Sequence, residues 1–263
     1  MYSTLKLVKK YLHYYLSASN GKGHGVHSPF VFQFIQKILV EKPHLEEKNI
    51  EALRNKLLQD KTLIEVWDRG AGSRQIDKKF RPVHKIAATS LKPPKYARLI
   101  ARLVDFFQPA NVIEMGTSLG ITTAYIAAAT KSKVITMEGA PTIAAIAKTN
   151  MQKLGISNVE IIEGDFDNTL STVLAKLEKV GMAYVDGNHK YIPTMRYFHD
   201  LLEKSNEDSF FIFDDIHWSE EMEKAWEQIK MHPSVTVSID LFFIGLVFFR
   251  KENKEPCHFV IRF

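Results

Sequence analysis

Cysteine is almost missing from this chain: Cys257 is the only one in 263 residues. No intrachain disulfide framework can form, and a reducing, cytoplasmic setting is expected. Long apolar runs are missing too. Nothing approaches the roughly 18 consecutive apolar residues of a membrane-spanning helix, so no membrane partner is expected. The N-terminal segment lacks a signal-peptide pattern, because Lys6, Lys9, Lys10 and His13 interrupt the apolar positions from Leu5 to Leu16 and no small-residue cleavage site follows. Internal repeats and low-complexity segments are also absent.

What is present is ordinary globular composition, 45% hydrophobic and 25% charged. That suits one large domain with an extension and a core that needs no covalent staples. The net charge of +5 is unevenly spread. Residues 1–95 carry 18 Lys/Arg against 8 Asp/Glu, while residues 96–263 carry 17 against 22. A solvated basic layer explains this most simply. The sharper reading is an arm that attracts nucleic acid, an anionic substrate or a membrane surface, and charge alone does not favour it.

Hydrophobic spacing divides the chain into two textures. Tyr2 to Leu16 reads as an amphipathic helix, with Leu5, Val8, Leu12 and Tyr15 at helical intervals. A Gly/His/Ser loop follows from Ser17 to Ser28. Pro29 then opens a helix to about Val40, as proline at a first helical position does well. Glu46 to Gln59 is a third helix, and residues 68–85 read as loop or short turns. From Tyr96 the pattern changes to a helix through Phe107, then short apolar runs at 111–115, 133–138, 159–163, 181–186 and 209–214. Helical segments separate these runs, near 120–130, 141–154, 168–178 and 191–204. Such alternation predicts an α/β fold, a doubly wound, mostly parallel sheet with helices on both faces. A helix from Ser219 to Lys230 precedes runs at 234–240 and 243–250, too close together to pair other than antiparallel. The expected architecture is a Rossmann-like seven-stranded sheet with an antiparallel C-terminal hairpin and a helical N-terminal extension. His258 to Phe263 is a candidate edge strand.

Five motifs fall at the carboxyl ends of the predicted strands, where open α/β sheets bind ligands. The first is Glu114-Met-Gly116-Thr117-Ser118-Leu-Gly120. Its glycines let backbone approach a ligand, and the following helix offers free N–H groups. The spacing G-x-x-x-G differs from the dinucleotide fingerprint G-x-G-x-x-G and argues against a pyrophosphate. Glu138, followed by Gly139, ends the second strand where a carboxylate can accept both hydroxyls of a ribose. Gly-Asp165-Phe166 follows the third strand. There Asp165 can accept from an adenine amino group and Phe166 can lie on the ring, though Gly and Asp are common in plain turns. Asp186-Gly-Asn-His189-Lys190 follows the fourth strand and Asp214-Asp215-Ile-His217 the fifth. Three carboxylates on adjacent strand ends, Asp186, Asp214 and Asp215, can converge on a hard divalent cation. His189, with an ordinary pKa near ~6.5, suits general base work, and Asp186 beside it places it better than the other nine histidines.

Taken together in this chain order, the motifs resemble class I S-adenosylmethionine-dependent methyltransferases. Within that class the chain is similar to the cation-dependent O-methyltransferases of the catechol and caffeoyl-CoA type, and to a related family with D-G-x-H after strand four. The resemblance covers about residues 90–250 and implies a division into a basic helical extension or lid at 1–88 and an S-adenosylmethionine-binding domain at 89–263. It implies cofactor contacts from Glu114, Gly116, Thr117, Ser118, Gly120, Glu138, Gly139, Asp165, Phe166 and Asp186, with Thr89 and Ser90 toward the methionine end. It implies catalytic roles for His189, Asp186 and Asp214, and a Mg2+ site at Asp186, Asp214 and Asp215. Two departures matter. Asp215 stands where the metal-dependent enzymes carry Asn, and His189 stands where they carry a lysine base. The D-G-x-H relatives need no metal, so both readings stay open. His24-Gly-Val-His27 and Arg69-Gly-Ala-Gly72 look family-specific. Asp68-Arg-Gly-Ala-Gly72 mimics a cofactor loop after a strand-like Leu63 to Trp67, yet no helix pattern follows, so it reads as a decoy or part of a lid.

The implied reaction is methyl transfer to the hydroxyl of a small-molecule acceptor. Methylation of RNA or another macromolecule through the basic N-terminal region is a rival, and so is a non-catalytic cofactor-binding role. The N/D-P-P-Y/F signature of amino methyltransferases is absent after strand four. Phe242-Phe243 and Phe248-Phe249 read as core of the last hairpin, with a homodimer edge left open.

Overall fold

The computed structural model describes residues 1–19, 21, 28–39, 47–67, 78–252 and 255–263. Its helices and strands run, in chain order, α1 (Thr4–Ser17), α2 (Pro29–Phe34, continued by a π-helical turn over Ile35–Leu39), α3 (Glu47–Gln59), β1 (Leu63–Trp67), β2 (Lys78–Pro82), α4 (Val83–Ser90), α5 (Pro94–Phe107), β3 (Asn111–Met115), α6 (Ile121–Ala128), β4 (Lys133–Glu138), α7 (Pro141–Lys153), β5 (Val159–Glu163), α8 (Phe166–Ala175), β6 (Met182–Val185), α9 (Tyr191–Leu202), β7 (Phe210–Asp214), α10 (Glu220–Lys230), β8 (Val237–Asp240), β9 (Ile244–Phe248) and β10 (Cys257–Val260). The chain divides into two compact units, Glu41–Val173 and the pair of segments Met1–Val40 and Leu174–Phe263.

In the unit Glu41–Val173, β3 and β5 flank β4, and both pairings are parallel. Val112, Ile113 and Met115 of β3 and Val134 and Met137 of β4 are fully buried. Each such side chain contributes roughly 1.5–3 kcal/mol relative to exposure. This explains why the sequence shows continuous apolar runs rather than alternation. Pro94 starts α5, whose Leu99, Ile100 and Leu103 face the interior. A cluster joins Ile50, Leu53 and Leu57 of α3, Ile86 and Ala87 of α4, and Ala124 and Tyr125 of α6. The expectation of loop over 68–85 is corrected for its second half. Lys78–Pro82 pairs antiparallel with Leu63–Trp67, and Val83 begins a helix. Basic, non-alternating β2 has little strand signal of its own, and its conformation comes from the pairing. Residues 68–77, which include the decoy motif, lie outside the described residues, as do His24 and His27.

In the other unit the strand order is β10-β8-β9-β7-β6. β6 and β7 are parallel, β9 is antiparallel to β7 and to β8, and β10 lies parallel to β8. The parallel strands, the antiparallel C-terminal pair and the added edge strand all match the sequence reading. Phe242, Phe248 and Phe249 are buried, as core residues of this hairpin should be.

Helix α1 departs from expectation. Its spacing predicts that Leu5, Val8, Leu12 and Tyr15 form the buried side. Instead Leu5 is 77% exposed and Leu12 54%, while Tyr14 is only 5% exposed. Tyr14 donates its hydroxyl to the carbonyl of Ile261 at 2.5 Å and packs on Phe242 with ring centroids 5.3 Å apart. Aromatic residues won this face because they reach both a ring partner and a backbone acceptor.

Candidate active site

In the unit Glu41–Val173, the loop after β3 carries a dense set of bonds. Gly116 and Gly120 hold positive φ of 110° and 82°, and Ser118 holds 48°. A Cβ at Gly120 would lie 2.9 Å from Met151 Cε and 3.3 Å from Ala147 Cβ, so the left-handed backbone calls for glycine and the packing on α7 is tight. The N–H groups of Gly116 and Thr117 both donate to the Met137 carbonyl of β4. Asn150 of α7 donates its amide to the Leu119 carbonyl at 2.9 Å. Below the loop lies Glu114, entirely buried. Its Oε2 accepts from Thr123 at 2.5 Å and from Thr136 at 2.7 Å, and Thr136 meets the Thr117 hydroxyl at 2.6 Å. Glu114 therefore braces the loop from within.

Glu138 gathers the surrounding loops. Its Oε2 accepts the Ser118 N–H and its Oε1 the Ala140 N–H, each at 2.9 Å. Burial pushes its carboxyl above the ordinary value, and the backbone N–H groups of Ala140, Ser118 and Gly139 offset only part of that. An ionised carboxylate has about four acceptor positions, so the three backbone N–H groups still leave room for a ligand hydroxyl. Gly139 leaves space beside it, since a Cβ there would meet nothing nearer than the Gly164 carbonyl at 3.9 Å. Asp165 is exposed and caps α8, its Oδ1 accepting the Asp167 N–H at 3.1 Å. Phe166 beside it is half-buried. Ser90, at the end of α4, touches the loop directly, its hydroxyl 2.7 Å from that of Ser118. This donor set fits a ligand with hydroxyls and a planar ring.

In the other unit, the loop after β6 bends sharply. Asn188 and His189 both adopt left-handed backbone, with φ of 68° and 38°. Asn188 is tied down by donating to the Tyr197 hydroxyl at 2.9 Å, and the Tyr191 N–H that opens α9 donates to Glu221 at 3.0 Å. The bend brings His189 Nε2 to 3.5 Å from Asp186 Oδ1. Tyr184, fully buried and two residues earlier on the same strand face, donates its hydroxyl to Asp186 Oδ2 at 3.0 Å. The result is a Tyr184–Asp186–His189 chain at a strand end.

At the end of β7, Asp214 is buried and Asp215 turns left-handed with φ 53°. The Asp215 N–H donates to the Phe243 carbonyl at 2.7 Å. Among the described residues, no group of three or more His, Cys, Asp or Glu side chains is arranged to hold a metal ion. Asp186, Asp214 and Asp215 therefore do not fit a three-carboxylate cation site as they stand. His217 has a separate assignment. Its Nδ1 meets Glu223 and its Nε2 meets Asp240, both at 2.9 Å. Burial opposes its charge, but Asp240 and then Glu223 outweigh that and hold its pKa above the ordinary value.

Residues 113–216 match the sequence profile of a family described as a methyltransferase domain. The match is one of similarity and covers less than half of the chain. In fold the chain is similar to solved methyltransferases across most of its length. An O-methyltransferase from Bacillus cereus in complex with SAH gives a TM-score of 0.57 at 18% identity, over 83% of this chain and 97% of that one. A SAH-bound methyltransferase from Podospora anserina gives 0.59 at 12% identity, over 95% and 98%. A protein-L-isoaspartate O-methyltransferase from Pyrococcus horikoshii is 32% identical over 79 residues, 30% of this chain and 36% of the relative. The chain thus spans little more than a third of that curated relative's length.

Residues 113–216 contain every site residue predicted from sequence except Thr89 and Ser90. Sequence reasoning missed Thr136, Asn150, Tyr184 and Asn188. Two of these had signals, a lone threonine inside an apolar strand and a tyrosine one alternation before Asp186. The other two act from a helix and a turn whose partners only the fold reveals.

Proposed function

We propose that this protein is an S-adenosylmethionine-dependent methyltransferase acting on a hydroxyl of a small molecule, with His189 as general base. The Tyr184–Asp186–His189 chain is the observation that carries this reading. When bound, S-adenosylmethionine supplies a methyl group already activated on a sulfonium. Glu138 accepts the ribose hydroxyls, Gly116, Thr117, Ser118 and Gly120 let backbone approach the amino-acid tail, and Asp165 and Phe166 receive the adenine. His189 would take the proton of the acceptor hydroxyl, leaving that oxygen to receive the methyl group that the bound cofactor would supply. Asp186, 3.5 Å from His189 Nε2, would stabilise the imidazolium so formed. A contact of 3.5 Å is loose, as pairs of this kind often are before substrate arrives.

Mg2+ is the finer alternative, with oxygen donors at Asp186, Asp214 and Asp215 of a suitable type. Their arrangement does not support it, and no step here requires it. The single cysteine agrees with a cytoplasmic protein, and no helix among the described residues is long and apolar enough to cross a membrane.

The test is a screen of phenols and other hydroxyl acceptors with methyl-labelled cofactor, in parent and His189→Ala proteins. Removing a general base typically costs about 10²–10⁴-fold in turnover. The reading expects that loss, with cofactor affinity unchanged. Equal turnover by the two proteins overturns the role of His189, and equal loss of cofactor binding makes His189 structural.

A further inference from the structure

The structure turns one apolar side of α1 outward. Leu5 is 77% exposed, Val8 50%, Leu12 54% and Leu16 79%, and Met1 continues the line at 85%. Steps of three and four residues place Leu5, Val8, Leu12 and Leu16 on one side of the helix, and exposed Met1 lies before its first turn. Singly exposed apolar residues are common, but a continuous row of this kind marks an interaction surface. Lys6, Lys9 and His13 are exposed and recur at the same interval, forming a basic strip beside the row. No Asp or Glu precedes Glu41, so nothing within this segment neutralises that strip.

The opposite side of α1 is already occupied. Lys10 and Tyr2 both bond Glu223 of α10, at 2.8 and 2.7 Å. The Tyr2 N–H donates to the Trp218 carbonyl, and Tyr11 packs edge-on against Phe242 at 5.1 Å. Helix α1 is therefore fixed to its unit by one side and presents the other. Its outward row is a standing feature of the surface.

We propose that α1 seats the protein on an anionic lipid surface. Aliphatic side chains in a row, rimmed by lysines without acids, are what binds at the boundary between headgroups and acyl chains. Lys6 and Lys9 meet lipid phosphates while Leu5, Leu12 and Leu16 enter the acyl region. Charge decides against the other occupants. Pairing α1 with α1 of a second copy brings the Lys6 and Lys9 strips together, and neither helix carries an acid of its own to answer them. Nucleic acid supplies phosphates for the lysines but nothing to cover the leucines. The proposal does not depend on methyl transfer.

Co-sedimentation of the full chain with vesicles tests it, using phosphatidylcholine alone and phosphatidylcholine mixed with phosphatidylserine. Binding to the mixed vesicles is expected to exceed that to phosphatidylcholine by about tenfold or more, and to weaken as salt rises. The double variant Leu12→Ser, Leu16→Ser should lose this binding about tenfold while melting at the parent temperature, since both side chains are exposed. Lys6→Gln with Lys9→Gln should weaken it and flatten its salt dependence. Indifference to phosphatidylserine overturns the proposal, as does a folded serine variant that binds like the parent. A dimer that the serine substitutions dissolve, without vesicle binding, assigns the surface to a second copy instead. Retention of single-stranded RNA without vesicle binding assigns it to nucleic acid.

Discussion

Glu138 Oε2 accepts the backbone N–H of Ser118 at 2.9 Å, tying the end of one strand to the glycine loop that follows its neighbour. The same carboxylate accepts from Ala140, so it orders the loops on both sides. Glu138→Gln keeps the shape but replaces one acceptor oxygen with a donor. Affinity for S-adenosylhomocysteine should fall by about tenfold or more, because a hydrogen bond to a charged group contributes about 1.5–3 kcal/mol. Calorimetric titration of both proteins checks this.

The raised pKa of Glu138 makes a second prediction. Accepting ribose hydroxyls and loop N–H groups requires the ionised form. Cofactor affinity should therefore decline as pH falls through the raised value, above the ordinary 4.5 of a glutamate. Glu138→Gln should show no such decline. An unchanged pH profile in that variant places the titration elsewhere.

Gly120 tests packing rather than chemistry. Gly120→Ala forces a Cβ toward Met151 and Ala147 at a φ of 82°. Strain of this kind costs on the order of 1–3 kcal/mol. The melting temperature should fall by several degrees, and cofactor binding should weaken with it.

Tyr184 is a positioning residue that acts through Asp186. Tyr184→Phe keeps the buried ring and removes only the hydroxyl that fixes Asp186 Oδ2. Turnover should fall about three- to tenfold, the scale of a net hydrogen bond of ~1 kcal/mol, with the dissociation constant for S-adenosylhomocysteine unchanged. A parallel change in cofactor binding contradicts the assignment.

His217 links pH to stability. Its folded pKa lies above its ordinary 6.5 because Asp240 and Glu223 favour the cation more than burial opposes it. The stabilisation is fully present below about 6.5 and is lost as pH rises through the folded value. Denaturant unfolding across that window should show declining stability in the parent and a flatter profile in His217→Gln.

Much of the fold was legible because parallel strands buried on both faces write themselves as apolar runs, and because Gly120 and Pro141 punctuate helix starts. The motif positions followed from those strand ends. Helix α4 and strand β2 were not legible, since Lys78–Pro82 has no alternation and depends on β1 for its shape. On α1 the periodicity was visible, but two apolar sides compete there, and the aromatic side won through Ile261 and Phe242. Asp186 and His189 could be paired from spacing alone, whereas the buried position of Glu114 could not, because Thr123 and Thr136 meet it only in the folded state.

The most direct test of the central claim is calorimetric titration of the purified protein with S-adenosylhomocysteine, without added metal. Binding is expected at about micromolar concentration, or roughly −8 kcal/mol, weakened by Glu138→Gln and retained by His189→Ala. Absence of binding by the folded parent protein would contradict that claim.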